Sequence, residues 1–138
     1  MTGYAQAAIS AYKRIEVNTY SDKRLILLKL FEGLMDSIKK AARAILSQNY
    51  EEKGKNIARA VAILGELCAA LDREQEAEWL TNLEALYFYA MQELTLANLE
   101  NDLSHLKNAE RALTPIYEAW QEAVKISRQQ ERETAGEK

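Results

Sequence analysis

The sequence predicts an all-α fold: an antiparallel up-down-up-down four-helix bundle with a short N-terminal cap segment. Three observations carry this. Apolar residues recur at three- and four-residue spacing along four separate stretches, the signature of one buried helix face in each. Helix breakers are scarce, with one proline and five glycines in 138 residues, of which 48% are hydrophobic. Short polar breaks join the stretches, and helices of similar length with short connections pack antiparallel. The length suits one domain with a proper core. The expected organisation is a cap segment over residues 1–20, the bundle over 21–128 and a charged flexible tail over 129–138.

In the cap segment, Tyr4, Ile9, Tyr12, Ile15 and Val17 are apolar positions. Val17-Asn18-Thr19-Tyr20 is β-branched and polar, a break before Ser21, which suits an N-cap. The first helix is expected from Asp22 to Ser47, with Leu25, Leu28, Phe31, Met35, Ile38, Ala42 and Ile45 as its stripe. Asn49 followed by Glu52 reads as an N-cap with its reciprocal partner, opening a second helix striped by Ile57, Val61, Leu64, Cys68 and Leu71. Asp72 with Gln75 repeats the pattern before a third helix carrying Leu80, Leu83, Tyr87, Ala90, Leu94 and Ala97. Asn98 to Asp102 is a polar break, with Asn98 and Asp102 expected as caps. Leu103, Leu106, Leu113, Tyr117, Trp120 and Val124 stripe the fourth helix. Pro115 lies inside it and removes a backbone donor, so a bend or a split is expected there. Past Arg128 the stripe stops and fraying is expected.

No apolar run approaches the roughly 18 residues of a membrane span, and the N-terminus lacks a charged-then-apolar signal pattern. Cys68 is the single cysteine, expected as a buried, reduced thiol. These features predict a cytoplasmic protein. The net charge of −3 is unevenly spread: residues 1–50 carry eight basic and four acidic side chains, residues 51–138 ten and seventeen. Between Asp72 and Asp102, eight carboxylates meet only Arg73. That balance argues against nucleic acid, whose phosphates need clustered Lys and Arg. Lys39, Lys40 and Arg43 read as a solvated helix face.

Chemistry is sparse. Asp102 and His105 approach the metal-ligand spacing of di-iron bundles, but those sites need two Glu-x-x-His pairs and this chain has one histidine. His105 is therefore expected at the surface or in a capping role, with no metal and no cofactor. Cys68 has no basic sequence neighbour to activate it, and phosphate-cradling loops are absent. The protein is read as a binder, not an enzyme.

Apolar residues exceed one stripe per helix. Leu25 to Leu28 are consecutive and, at about 100° per residue, cover most of a helix circumference. Ile26, Leu27, Leu30 and Leu34 on the first helix are candidate partner-binding residues. So are Ile63 and Leu67 on the second, beside the small Ala62, Ala69 and Ala70, and Tyr89 within the run Leu86 to Met91. Tyr4, Ile9, Tyr12 and Val17 would form a movable N-terminal cover over this surface. The competing reading is a self-associating structural or regulatory bundle. Gly33 and Gly65 lie inside helices, where close helix approach or simple tolerance at the surface accounts for them.

Ala11-Tyr12-Lys13, then Val17 to Ser21, then Lys23 to Gly33 (KRLILLKLFEG) together resemble the opening of the flagellar export chaperone FliS family. Glu66-Leu67, Leu71-Asp72, Asn82-Leu83, Leu86-Tyr87, the run Ala97 to Asp102 and Trp120 follow in the family's order, so the resemblance spans roughly residues 4–124. Asp22 stands where the family usually has proline, Tyr20 replaces a small residue, and Ile9 occupies a position often tyrosine. The glycine pair expected after Asp72 is replaced by Gln75 to Glu78. The resemblance implies a cytosolic chaperone that holds the disordered C-terminal region of flagellin, prevents premature polymerisation and assists flagellar type III secretion. It leaves open an anti-sigma factor and other export components as further partners, and implies no membrane insertion.

Overall fold

The computed structural model describes residues 21–72, 74 and 77–136, the side chains of Ser21 and Asp22 excepted. Tyr4, Ile9, Tyr12 and Val17, and the cap segment they belong to, lie outside the described residues. The described residues form four helices: α1 (Ser21–Leu46), α2 (Tyr50–Ala69), α3 (Glu78–Glu100) and α4 (Leu103–Gly136). Each packs on the next and α4 returns to α1, closing a four-helix ring around one core. This is the expected bundle.

The joints show how local chemistry sets the turns. At the end of α1, Gln48 takes a left-handed conformation with φ 59°. Its N–H donates to Ile45 O at 3.1 Å, and the Asn49 N–H donates to Ala44 O at 2.8 Å. These two bonds satisfy carbonyls the helix would otherwise leave open. Asn49 Oδ1 then accepts from the Glu52 N–H at 3.2 Å, capping α2 as expected. The reciprocal half does not form, because the Asn49 N–H is already committed to α1. Glu52 turns instead to Asn56, whose Nδ2 donates to its Oε1 at 3.5 Å.

The third helix begins later than its sequence suggests. Asp72 Oδ1 accepts from the Glu74 N–H at 3.1 Å in a local turn, and α3 starts only at Glu78, behind Ala77, which makes no side-chain cap. At its far end α3 runs through Asn98 to Glu100, so the break shrinks to Asn101 and Asp102. Asn101 is left-handed, φ 54°, a conformation asparagine tolerates. Asp102 caps α4, its Oδ1 accepting from the Ser104 N–H at 2.8 Å and Ser104 Oγ at 2.7 Å. Asn98 is no cap; its carbonyl accepts from Lys53. Pro115 sits within a single helix and does not split it. Where a charged flexible tail was expected after Arg128, α4 continues as exposed helix to Gly136, in keeping with its Gln, Glu and Arg content.

The core holds a surprise for periodicity. The row Ile26, Leu30, Leu34, Ser37, Ala41 and Ala44 is buried alongside the expected row of Leu28, Phe31, Met35 and Ile38. A helix in a closed ring has two neighbours, so its buried arc is wider than one stripe. Ser37 joins this row because its Oγ donates to Gly33 O at 2.8 Å, satisfying the hydroxyl within the helix. Phe31 stacks on Tyr117 of α4, centroids 6.1 Å apart and 10° between planes, and tilts against Tyr87 of α3 at 6.3 Å. Burial, and then Cys68 nearby, holds the Tyr87 hydroxyl far above the ordinary phenol range. Cys68 is buried, as expected.

Lys53 is a buried cation that sequence patterning did not anticipate, 6% exposed. From the first turn of α2 its Nζ donates to Asn98 O at 2.9 Å and to Asn101 Oδ1, and lies 5.4 Å from the Tyr50 ring centroid. The ammonium thus meets the carbonyl end of α3, where the helix dipole is negative.

Candidate functional site

Of the partner-binding candidates within the described residues, five are interior. Ile26 (4% exposed), Leu30, Leu34, Ile63 and Leu67 belong to the central apolar cluster. Two packing neighbours demand a broad apolar arc, which accounts for more buried apolar positions than one stripe. Leu27 is half-buried against that cluster. Tyr89 alone of the set is exposed.

Tyr89 is part of a larger feature. From Trp79 to Leu99 the exposed positions of α3 are Trp, Thr, Asn, Ala, Phe, Tyr, Gln, Thr, Asn and Leu, with no charged residue among them. Phe88 (54% exposed) and Tyr89 (42%) project from this face, Tyr89 beside Glu93, whereas Trp79 (58%) is exposed in the first turn, half a turn of the helix away from Phe88. On α2, past Lys55, the exposed residues are Ala58, Gly65 and Ala69, with Ala70 just beyond its end. By contrast the outward face of α1 carries Lys23, Arg24, Lys29, Glu32, Asp36, Lys39, Lys40 and Arg43. A water-facing helix surface is ordinarily charged, so an outward face with Phe88 and Tyr89 and no exposed charge from Trp79 to Leu99 is unusual among the described residues. Patterning hid Trp79 and Phe88 because α3 is the most weakly amphipathic of the four helices. The readable signal was the missing charge.

Two polar features lie elsewhere. A cleft of about 540 Å³ runs beside the C-terminal half of α4, floored by Leu28 and Val124 and rimmed by Lys125, Arg128 and Arg132. At the α3–α4 junction, His105 Nδ1 donates to Glu93 Oε2 at 2.5 Å and Nε2 to Glu100 Oε2 at 3.1 Å, with Asp102 Oδ2 at 3.8 Å. The Glu93 hydrogen bond, helped by Glu100 and opposed by desolvation, raises the imidazole above its usual range. Hydrogen bonds from Ser104 lower Asp102. His105 is thus an interhelical tie as well as a junction residue. Among the described residues, no helix is long and apolar enough to cross a membrane.

A closed four-helix core with aromatic side chains left exposed on α3 places the chain among all-α bundle proteins. The model of the family described as Flagellar protein FliS matches residues 4–127. The flagellar secretion chaperone FliS of Bacillus subtilis is 31% identical over 131 residues, 95% of this chain and 96% of the relative. That of Escherichia coli K12 is 30% identical over 125 residues, covering 88% and 92%. FliSB of Pseudomonas aeruginosa is 33% identical over 121 residues, covering 85% and 95%. The chain belongs to the FliS family of flagellar secretion chaperones.

Proposed function

We propose that this chaperone acts in the cytoplasm on flagellin, binding its disordered C-terminal region and keeping it from polymerising before export. The observation that carries the reading is the exposed face of α3, which bears Phe88 and Tyr89 and has no charged residue among its exposed positions from Trp79 to Leu99. A disordered amphipathic segment gains affinity by laying apolar side chains along such a face. Ordering the segment costs entropy, so a long contact surface is required. The N-terminal segment bearing Tyr4, Ile9, Tyr12 and Val17 is proposed as a cover that the client displaces.

Titration with a synthetic peptide from the C-terminal region of the same bacterium's flagellin tests this. Saturable binding is expected, weakened about tenfold or more by Phe88→Ser, as for a central aromatic anchor. No saturable binding at low salt would remove the proposal. Deletion of residues 1–17 should alter the affinity; an unchanged value removes the cover and leaves the docking surface standing. Sedimentation showing a tight dimer indifferent to flagellin would favour the self-associating bundle instead.

A further inference from the structure

The return of the chain from α3 into α4 brings one donor atom each from Glu100, Asp102 and His105 to within 4.8 Å of one another. Their roles are already divided. Asp102 uses Oδ1 to cap α4, accepting from the Ser104 N–H and Oγ, which leaves Oδ2 turned to His105 Nε2 at 3.8 Å. Glu100 Oε2 lies 3.1 Å from the same nitrogen. In a tetrahedral zinc site with bonds of about 2.0–2.2 Å, ligand atoms stand roughly 3.3–3.6 Å apart, and the two separations from His105 Nε2 bracket that spacing. The other ring nitrogen, Nδ1, is held at 2.5 Å by Glu93, whose side chain is only 12% exposed. A carboxylate behind the imidazole is the usual outer partner of a metal-binding histidine, fixing the ring and leaving Nε2 as the ligand atom.

Charge points the same way. Glu93, Glu100 and Asp102 surround one imidazolium, so the cluster keeps an excess of negative charge that a dication would offset. Lys53 comes to this junction from α2, but its ammonium is directed at Asn98 O and Asn101 Oδ1. The single histidine rules out the two-metal arrangement of di-iron bundles; a mononuclear site needs one imidazole, with water completing the coordination.

We propose that Glu100, Asp102 and His105 bind a divalent transition-metal ion of the Zn²⁺ class, with Glu93 as the positioning residue behind His105. On binding, the ion takes the place of the Nε2 proton, which passes to solvent, while Nδ1–H stays on Glu93. The ion then ties the last turn of α3 to the first turn of α4.

The test is calorimetric titration of ZnCl₂ into the full-length, tag-free, EDTA-treated protein, with Co²⁺ absorption reporting the ligand set. One saturable site is expected, lost in His105→Gln and weakened at least tenfold in Glu100→Gln, a variant at an exposed position that keeps the fold testable should His105→Gln unfold. Glu93→Gln should keep the stoichiometry and weaken binding roughly 10- to 100-fold, the range for outer carboxylates. Cys68→Ser should bind as wild type. Absence of saturable binding at millimolar Zn²⁺, binding within twofold of wild type in folded Glu100→Gln, or loss in Cys68→Ser would each overturn the assignment.

Discussion

Leu34→Ala separates the two roles this side chain can play, core residue or client contact. Leu34 is 0% exposed and sits in the central cluster. The substitution removes three carbons, worth roughly 0.8 kcal/mol each on transfer. The space left behind adds a cavity term, because the surroundings collapse only in part, and buried Leu→Ala changes span about 2–5 kcal/mol. With Phe31, Ile38 and Leu64 also fully enclosed, little room for collapse exists, so a loss of about 3–4 kcal/mol is expected. At roughly 2.1 cal/mol/K of unfolding entropy per residue, a chain of this length should lose about 10–14 °C in Tm. Urea and thermal unfolding followed by circular dichroism measure both quantities. Phe88→Ser, at an exposed site, should change stability by less than about 0.5 kcal/mol. A Leu34→Ala loss below about 1 kcal/mol in a folded variant would refute the placement of this row in the core and restore it as a docking surface.

Other outcomes follow from the joints and the helix interiors. Gln48 is held at φ 59°, where a side chain is strained by about 1 kcal/mol, so Gln48→Gly should raise stability by up to that amount in urea unfolding. Gly65 has nothing within 4 Å of a built Cβ, and at Gly33 the Cβ would meet Arg59 and Ile63 at an ordinary 3.5 Å. Each Gly→Ala change should therefore gain about 0.5–1 kcal/mol in thermal unfolding; a loss at Gly33 would reveal helix packing closer than described. His105 has a raised folded pKa, through Glu93 first. Its stabilisation is full below the unfolded value near 6.5 and is lost as pH rises through the folded value. In EDTA-treated protein, urea midpoints should fall across that window, and His105→Gln should flatten the slope.

Local signals in the sequence were legible: four stripes, the Asn49 cap, the Asp102 cap and the buried Cys68 all depend on neighbours within a turn or two. Which apolar residues are seam and which are surface was not, because that depends on where two other helices stand. Ile26, Leu30 and Leu34 have the same residue types as a groove would have. The polar groups of the interior were also out of reach. Ser37 is satisfied by its own helix, whereas Lys53 is satisfied by α3, forty-five residues away from Asn98. Sequence spacing pairs His105 with Asp102 alone, since Glu93 lies twelve residues earlier and arrives only when the chain doubles back.

Lys53 and His105 reach α3 from opposite neighbours, one from α2 and one from α4, and both engage its C-terminal stretch. For a rod so weakly amphipathic, oil and water give only a mild preference for one roll angle over another. Two cations gripping particular oxygens at one end act as a key in a shaft. They index the rod, so the aromatic side stays turned towards whatever arrives from outside.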